Sequence, residues 1–157
     1  MKLIRRLIIK TSSAKAKGRT LQNWVRDQIV KLFPELVNDI RSTPMGVTGT
    51  DIQLSPLAQG KIPLAIECKA QESVSIWAAY EQACEGAKLE NKKISSRNAY
   101  VADHCKSDEF ELGKVEPVLI LKRNRKAPLA VVDAEYFLQL MQDKYELGWR
   151  FCREMSS

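Results

Sequence analysis

Three residues have the types and spacing to do chemistry: Asp51, within Gly-Thr-Asp-Ile, and the pair Glu67 and Lys69 that flanks Cys68. Read as a strand, Ile62 to Lys69 points Leu64, Ile66 and Cys68 to one face and Ala65, Glu67 and Lys69 to the other. Ile52 and Leu54 alternate in the same way with Asp51 and Gln53, so Asp51 can share a face with Glu67 and Lys69. Two carboxylates and an ammonium on one sheet face make either a plain salt bridge or a site for a hard cation, because carboxylate oxygens suit magnesium or manganese. In the second case the carboxylates hold the cation against a phosphate oxygen. The cation lowers the pKa of a water, and Lys69 orients that water or stabilises the charge that develops on phosphorus.

The elements that must position these residues can be read from periodicity and punctuation. Leu21, Trp24, Val25, Ile29 and Leu32 recur at helical spacing from about Arg19, and Pro34 stops the run; Gln22 lies beside that apolar face on the first turn. Before it, Met1 to Lys10 fits a strand or a short amphipathic helix, and Thr11 to Gly18 reads as a flexible basic linker. Pro44, Gly46 and Gly49 punctuate a turn between two strands, and Pro56 and Gly60 mark the next turn. Helical spacing returns at Ile76, Trp77, Tyr80, Ala83, Cys84 and Ala87, and here the two aromatics are expected in a core or dimer contact. Residues 93–114 are a candidate insertion, their later part acidic. Strands at Pro117–Leu121 and Leu129–Val132 flank the basic turn Lys122 to Lys126, and Asp133 is placed to cap a helix carrying Phe137, Leu138 and Met141. Helices on both sides of a small mixed sheet, an α/β fold, suit this order. The expected organisation is a basic arm over 1–18 and one domain over 19–157.

Composition narrows the function. The chain of 157 residues is 45% hydrophobic and 28% charged, ordinary for a globular domain, and no apolar run approaches the ~18 residues of a membrane span. The net charge is +6, and it is localised. Nine basic side chains and one acid, Asp27, fall in residues 1–31, so the remainder is slightly acidic. A basic end calls for an anionic partner, nucleic acid before a membrane surface. Cys68, Cys84, Cys105 and Cys152 form no close pairs, and the opening lacks the continuous apolar core of a secretion signal; reduced thiols in a cytoplasm are expected. The single histidine, His104, excludes a multi-histidine metal site within one chain, and adjacent side chains in Asp103-His104-Cys105 point in different directions.

Asp51 followed by Glu67-Cys68-Lys69 on successive strands resembles the active site of the PD-(D/E)xK nuclease superfamily. Lys17-Gly18-Arg19-Thr20-Leu21-Gln22 resembles the first helix of its archaeal Holliday-junction resolvase-like branch. Pro117 to Arg125 with Pro128 to Val132 resembles the later hairpin of small phage-type members. The resemblance implies a restriction-endonuclease-like core and a metal-dependent endodeoxyribonuclease acting on double-stranded or branched DNA, in a cytoplasm that is the host's if the chain is phage-encoded. It implies Mg2+, replaceable by Mn2+, on Asp51, Glu67 and the backbone carbonyl of Cys68, with Lys69 assisting the attacking water. The family's first acid falls at Gln22, a neutral amide that can still hold a cation-bound water. Gln82 matches a helpful glutamine of related nucleases, although helical geometry turns it from the apolar face. Lys15, Lys17 and Arg19, with Lys122, Arg123, Arg125 and Lys126, are the expected phosphate contacts. A homodimer would cut two strands with two sites. The rival readings are a catalytically inactive nucleic-acid-binding module of the same fold, favoured by Gln22, and a membrane-surface protein using residues 1–10.

Overall fold

The computed structural model describes residues 2–44, 46–104 and 111–154, with side chains from residue 14 to residue 146 of these, His104 excepted. The elements follow in the order α1 (Lys2–Leu32), a single 3-10 turn (Pro34–Leu36), β1 (Ile40–Ser42), β2 (Ile52–Leu54), α2 (Pro56–Lys61), β3 (Leu64–Ala70), α3 (Ile76–His104), β4 (Glu116–Lys122), β5 (Leu129–Val131) and α4 (Ala134–Glu154). It is a mixed α/β arrangement in which small sheets are flanked by helices.

Helix α1 ends where Pro34 withdraws a backbone donor and crowds the residue before it. Its beginning corrects the sequence reading, because Thr11 to Gly18 is helical and continuous with the residues on either side. Ala14, Lys15, Ala16 and Lys17 are all good helix formers, and together they outweigh the roughly 1 kcal/mol that Gly18 costs. No helix among the described residues is long and apolar enough to cross a membrane.

Strands β1 and β2 form an antiparallel hairpin with Ile40 opposite Leu54 and Ser42 opposite Ile52. The chain between them passes through Gly46 and Gly49 at φ of 88° and 132°, a region that a side chain disfavours. Ser55 then caps α2, its hydroxyl accepting from the Ala58 N–H at 3.2 Å, with Pro56 at the first helical position. Strand β3 pairs in parallel with β4, Leu64 opposite Glu116 through Ala70 opposite Lys122, and β4 pairs antiparallel with β5. Parallel neighbours need a long crossover, and α3 supplies it.

The two faces of β3 build two apolar layers. Ile66 and Cys68 join Leu21 and Val25 of α1 with Leu36, Ile40, Ile52 and Val118. On the opposite face Ala65 packs with Ala87, Ile94, Leu112 and Val115, while Ala79 and Ala83 pack on Leu119. The first turns of α3 therefore bury Ala79, Ala83 and Ala87, small residues that let this part of the helix lie close on the sheet. Trp77 is turned outward and is 81% exposed, so it is not the core residue that one of its two expected roles required, whereas Tyr80 is half-buried against the Ala79 layer.

The described part of 93–114 is built into this layer. Residues 93–104 continue α3, with Ile94 buried. Asn91 donates from Nδ2 to the Val115 carbonyl at 3.0 Å and accepts from the Val115 N–H at 2.8 Å. Asn98 does the same to Leu112, at 2.9 and 3.2 Å. The two carboxamides, seven residues apart on one helix face, act as rungs that satisfy the extended backbone leading into β4. At the far end Asp133 caps α4 as its sequence position predicts, Oδ1 accepting from the Glu135 N–H at 2.8 Å.

Candidate active site

Asp51 stands where the hairpin meets the larger sheet. Its carbonyl accepts from the Thr43 N–H at 2.9 Å, and its own N–H donates to the Ile66 carbonyl at 2.9 Å. Buried Thr43 and Thr50 hold the approach: the Thr43 hydroxyl donates to the Thr50 carbonyl at 2.5 Å, and the Thr50 hydroxyl to the Ile52 carbonyl at 2.9 Å. Neither threonine stands out in the sequence, since a buried threonine reads there like any other strand residue.

Both oxygens of the Asp51 carboxylate are engaged. Oδ1 accepts from Nε2 of Gln22, and Oδ2 accepts from the Cys68 N–H at 2.7 Å. Gln22 is itself buried, so helix α1 presents its amide to the carboxylate from within the core. Alternation along β3 turns the backbone of Ile66 and Cys68 toward Asp51 and that of Ala65, Glu67 and Lys69 toward β4. The carbonyl of Cys68 therefore lies on the same strand edge as the N–H that Asp51 holds.

Glu67 and Lys69 project from the α3 side of β3. Their charged atoms meet at 2.7 Å, with side-chain exposures of 9% and 21%. Burial pushes the Glu67 carboxyl above the usual carboxylate range; the hydrogen bond from Lys69 opposes this, and the Asp51 charge adds to it. Burial likewise raises Asp51, against the hydrogen bonds from Cys68 and Gln22 and the charge of Lys69. Burial, then the two carboxylates, drive the Cys68 thiol far upward, so this cysteine is an inert apolar residue and not a nucleophile.

Gln22, Asp51, Glu67, Cys68 and Lys69 line one cleft of about 280 Å³, closed on its other sides by Gly18, Pro44, Val47 and Gln82, among others. Four separated stretches of sequence thus converge, and Gln82 joins them although it is exposed. Among the described residues, no group of three or more His, Cys, Asp or Glu side chains gathers to hold a metal. The anionic set here is a pair, with a backbone carbonyl and a neutral amide beside it. Asp103 lies at the end of α3, while Cys105 and Cys152 fall outside the described residues or side chains.

The basic residues divide between two places. Lys15, Lys17 and Arg19 are exposed on α1, and Arg123, Arg125 and Lys126 are exposed in the turn between β4 and β5. Lys122 Nζ donates to the Lys126 carbonyl at 2.8 Å, Arg125 adopts φ of 57°, and the Glu72 carboxylate accepts from the Asn124 N–H at 2.7 Å. Lys17, Lys122 and Arg123 border a larger groove of about 890 Å³, next to the carboxylate cleft. Trp24, read in sequence as part of the apolar helix face, is 44% exposed and forms part of this groove.

No protein-family model, curated protein or solved structure matches the chain.

Proposed function

We propose that the protein is a metal-dependent deoxyribonuclease with a restriction-endonuclease-like core. The observation that carries this reading is the convergence of Asp51 with the Glu67–Lys69 pair in one cleft, at the junction of an antiparallel hairpin and a parallel crossover. Glu67 is buried and Asp51 partly so, with the Lys69 ammonium beside them; burial raises both pKa values, and the Asp51 charge adds to the rise at Glu67. Such a pair is under-compensated and suits a hard divalent cation, which commonly takes one or two carboxylates and completes its shell with water and phosphate. Asp51, Glu67 and the Cys68 carbonyl are the groups to hold Mg2+ or Mn2+. When bound, the cation supplies a more acidic water and counter-charge for the phosphate.

The chain's own residues do the rest. Gln22 and the Cys68 N–H fix both oxygens of Asp51, so this carboxylate is oriented before any ligand arrives. Lys69, held at Glu67, is placed to orient the attacking water or to stabilise charge on the phosphate. Lys15, Lys17 and Arg19, with the Lys122 to Lys126 turn, contact the DNA backbone. Contacts of this kind go to phosphate and carry no sequence information, which favours recognition of double-stranded or branched DNA by backbone and shape. Two copies would serve two strands.

Nicking of supercoiled plasmid and of four-way junctions, with Mg2+ or Mn2+, tests the reading. Wild type should cut, Asp51→Ala should not, and Lys69→Ala should lose roughly 100-fold or more, as when one charge-stabilising donor is removed. Absence of cutting by wild type on linear, nicked, single-stranded and branched DNA overturns it. A second reading, a non-catalytic DNA-binding module, draws on Gln22, whose neutral amide occupies one Asp51 oxygen. Calorimetry silent to Mn2+, with DNA binding unchanged in Asp51→Ala, would establish that alternative.

A further inference from the structure

The groove of about 890 Å³ between α1 and the β4–β5 turn is three times the size of the carboxylate cleft, and it is built differently. Ala14, Ala16, Leu21, Trp24, Ala70 and Pro128 give it an apolar floor and walls. Lys17, Lys122 and Arg123 border it. Glu72, the acid among its lining residues, is engaged by the Asn124 N–H. Ala14, Ala70 and Gln71 line both the groove and the cleft, so the two adjoin.

We propose that this groove receives an unpaired DNA strand, with a base stacked on the Trp24 indole and phosphates held by Lys17, Lys122 and Arg123, and leads it to the carboxylate cleft. The identification of the ligand as DNA rests on the nuclease reading. The groove itself selects among forms of DNA. A duplex turns its base faces inward and offers an apolar floor only sugar and phosphate. An unpaired strand offers both a flat apolar face and an anionic backbone, which is the combination that an exposed indole amid cations recognises. The volume falls in the range of pockets that enclose compounds of roughly one or two nucleotides in size. Three cations on the rim disfavour an aliphatic or basic peptide as occupant. Substrates with a frayed end, flap or open junction are therefore preferred over continuous duplex.

Binding in the presence of chelator tests this without cleavage, using a fluorescein-labelled blunt hairpin and the same hairpin with a short single-stranded overhang. Wild type should bind the overhang about 10-fold more tightly, equivalent to about 1.4 kcal/mol. Trp24→Ala should bring the two affinities together, Trp24→Phe should retain most of the preference, and Lys17→Ala with Arg123→Ala should weaken both and flatten the salt slope. The overhang should quench tryptophan emission in wild type more than in Trp24→Phe, a readout that does not depend on the alanine variant folding. Equal affinity of wild type for both ligands, or equal quenching in Trp24→Phe, overturns the proposal. So does sedimentation showing a dimer that Trp24→Ala dissolves, because a second copy then fills the groove. The overhang preference without cutting on any substrate would sink the nuclease reading and leave the groove assignment standing; cutting without the preference would do the reverse.

Discussion

Asp51 accepts two hydrogen bonds inside the protein and carries a charge that burial disfavours, so replacing it separates a structural role from a functional one. Asp51→Ala removes both acceptors. The Cys68 N–H is left in a partly buried strand edge, at a cost of about 1–3 kcal/mol for the unsatisfied donor. For a chain of this size that corresponds to a Tm lower by about 2–4 °C per kcal/mol. Asp51→Asn has the same shape. Its Oδ1 can still accept from Cys68, and the Gln22 amide can turn to present its oxygen to the new amide nitrogen. Both hydrogen bonds survive, while the desolvated charge and its repulsion of Glu67 disappear. Asp51→Asn is therefore expected to be at least as stable as wild type at neutral pH in chelator, and more stable than Asp51→Ala by the 1–3 kcal/mol above. Urea denaturation in chelator, repeated with Mn2+, measures both effects. Wild type should gain stability with Mn2+, and the Asn variant should gain little, since neutral amides bind hard cations weakly. If Asp51→Asn falls more than about 1 kcal/mol below wild type in chelator, the carboxylate is a structural acceptor and the argument for a poised charge is refuted.

The raised Asp51 and Glu67 values fix the direction of two pH effects. Folded-state carboxyl groups with raised pKa hold protons more tightly than the unfolded chain, so their contribution to stability without cation grows as pH falls through the raised values and shrinks as pH rises. Cation binding and cleavage move oppositely, failing at a pH above the ordinary carboxylate range of about 4, and calorimetry with Mn2+ against pH should follow that loss. Reversing Lys15, Lys17 and Arg19 to Glu should weaken DNA binding and lower the slope of log affinity against log salt, and an unchanged slope would move the contact surface elsewhere. Asn91→Ala should destabilise by about 1–3 kcal/mol in thermal melts, because the Val115 N–H and carbonyl both lose their partner; an unchanged Tm would mean water replaces the rung.

The convergence of Asp51 with Glu67 and Lys69 was legible because strand alternation is a short-range rule. Glu67 and Lys69 share a face whatever surrounds them, and the Gly-Thr-Asp-Ile turn signal puts Asp51 at a strand entry. The contact of Gln22 with Asp51 joins residues 29 apart, and its place on the helix was readable from the apolar stripe beside it. What escaped was decided by partners distant in sequence. The small-residue face of α3 was hidden because Ile76, Trp77 and Tyr80 also recur at helical spacing, and larger side chains dominate a periodicity count. The helical state of Thr11 to Gly18 was hidden by Gly18 and two serines, which read as linker until the helix formers between them are weighed. Asn91 and Asn98 carry no signal at all until the extended chain before β4 is seen to need their hydrogen bonds.

The placement of β4 bears on how the protein comes into being. Every residue of the carboxylate cleft named above lies at or before Gln82, yet β3, which carries four of them, gains its parallel partner only from Glu116–Lys122. During synthesis the chemistry-bearing half leaves the ribosome first and must wait for the long crossover to close. The cleft is therefore assembled late, when the chain that completes its sheet has been made, so a nascent fragment ending within α3 has the charged residues but not the strand pairing that aligns them.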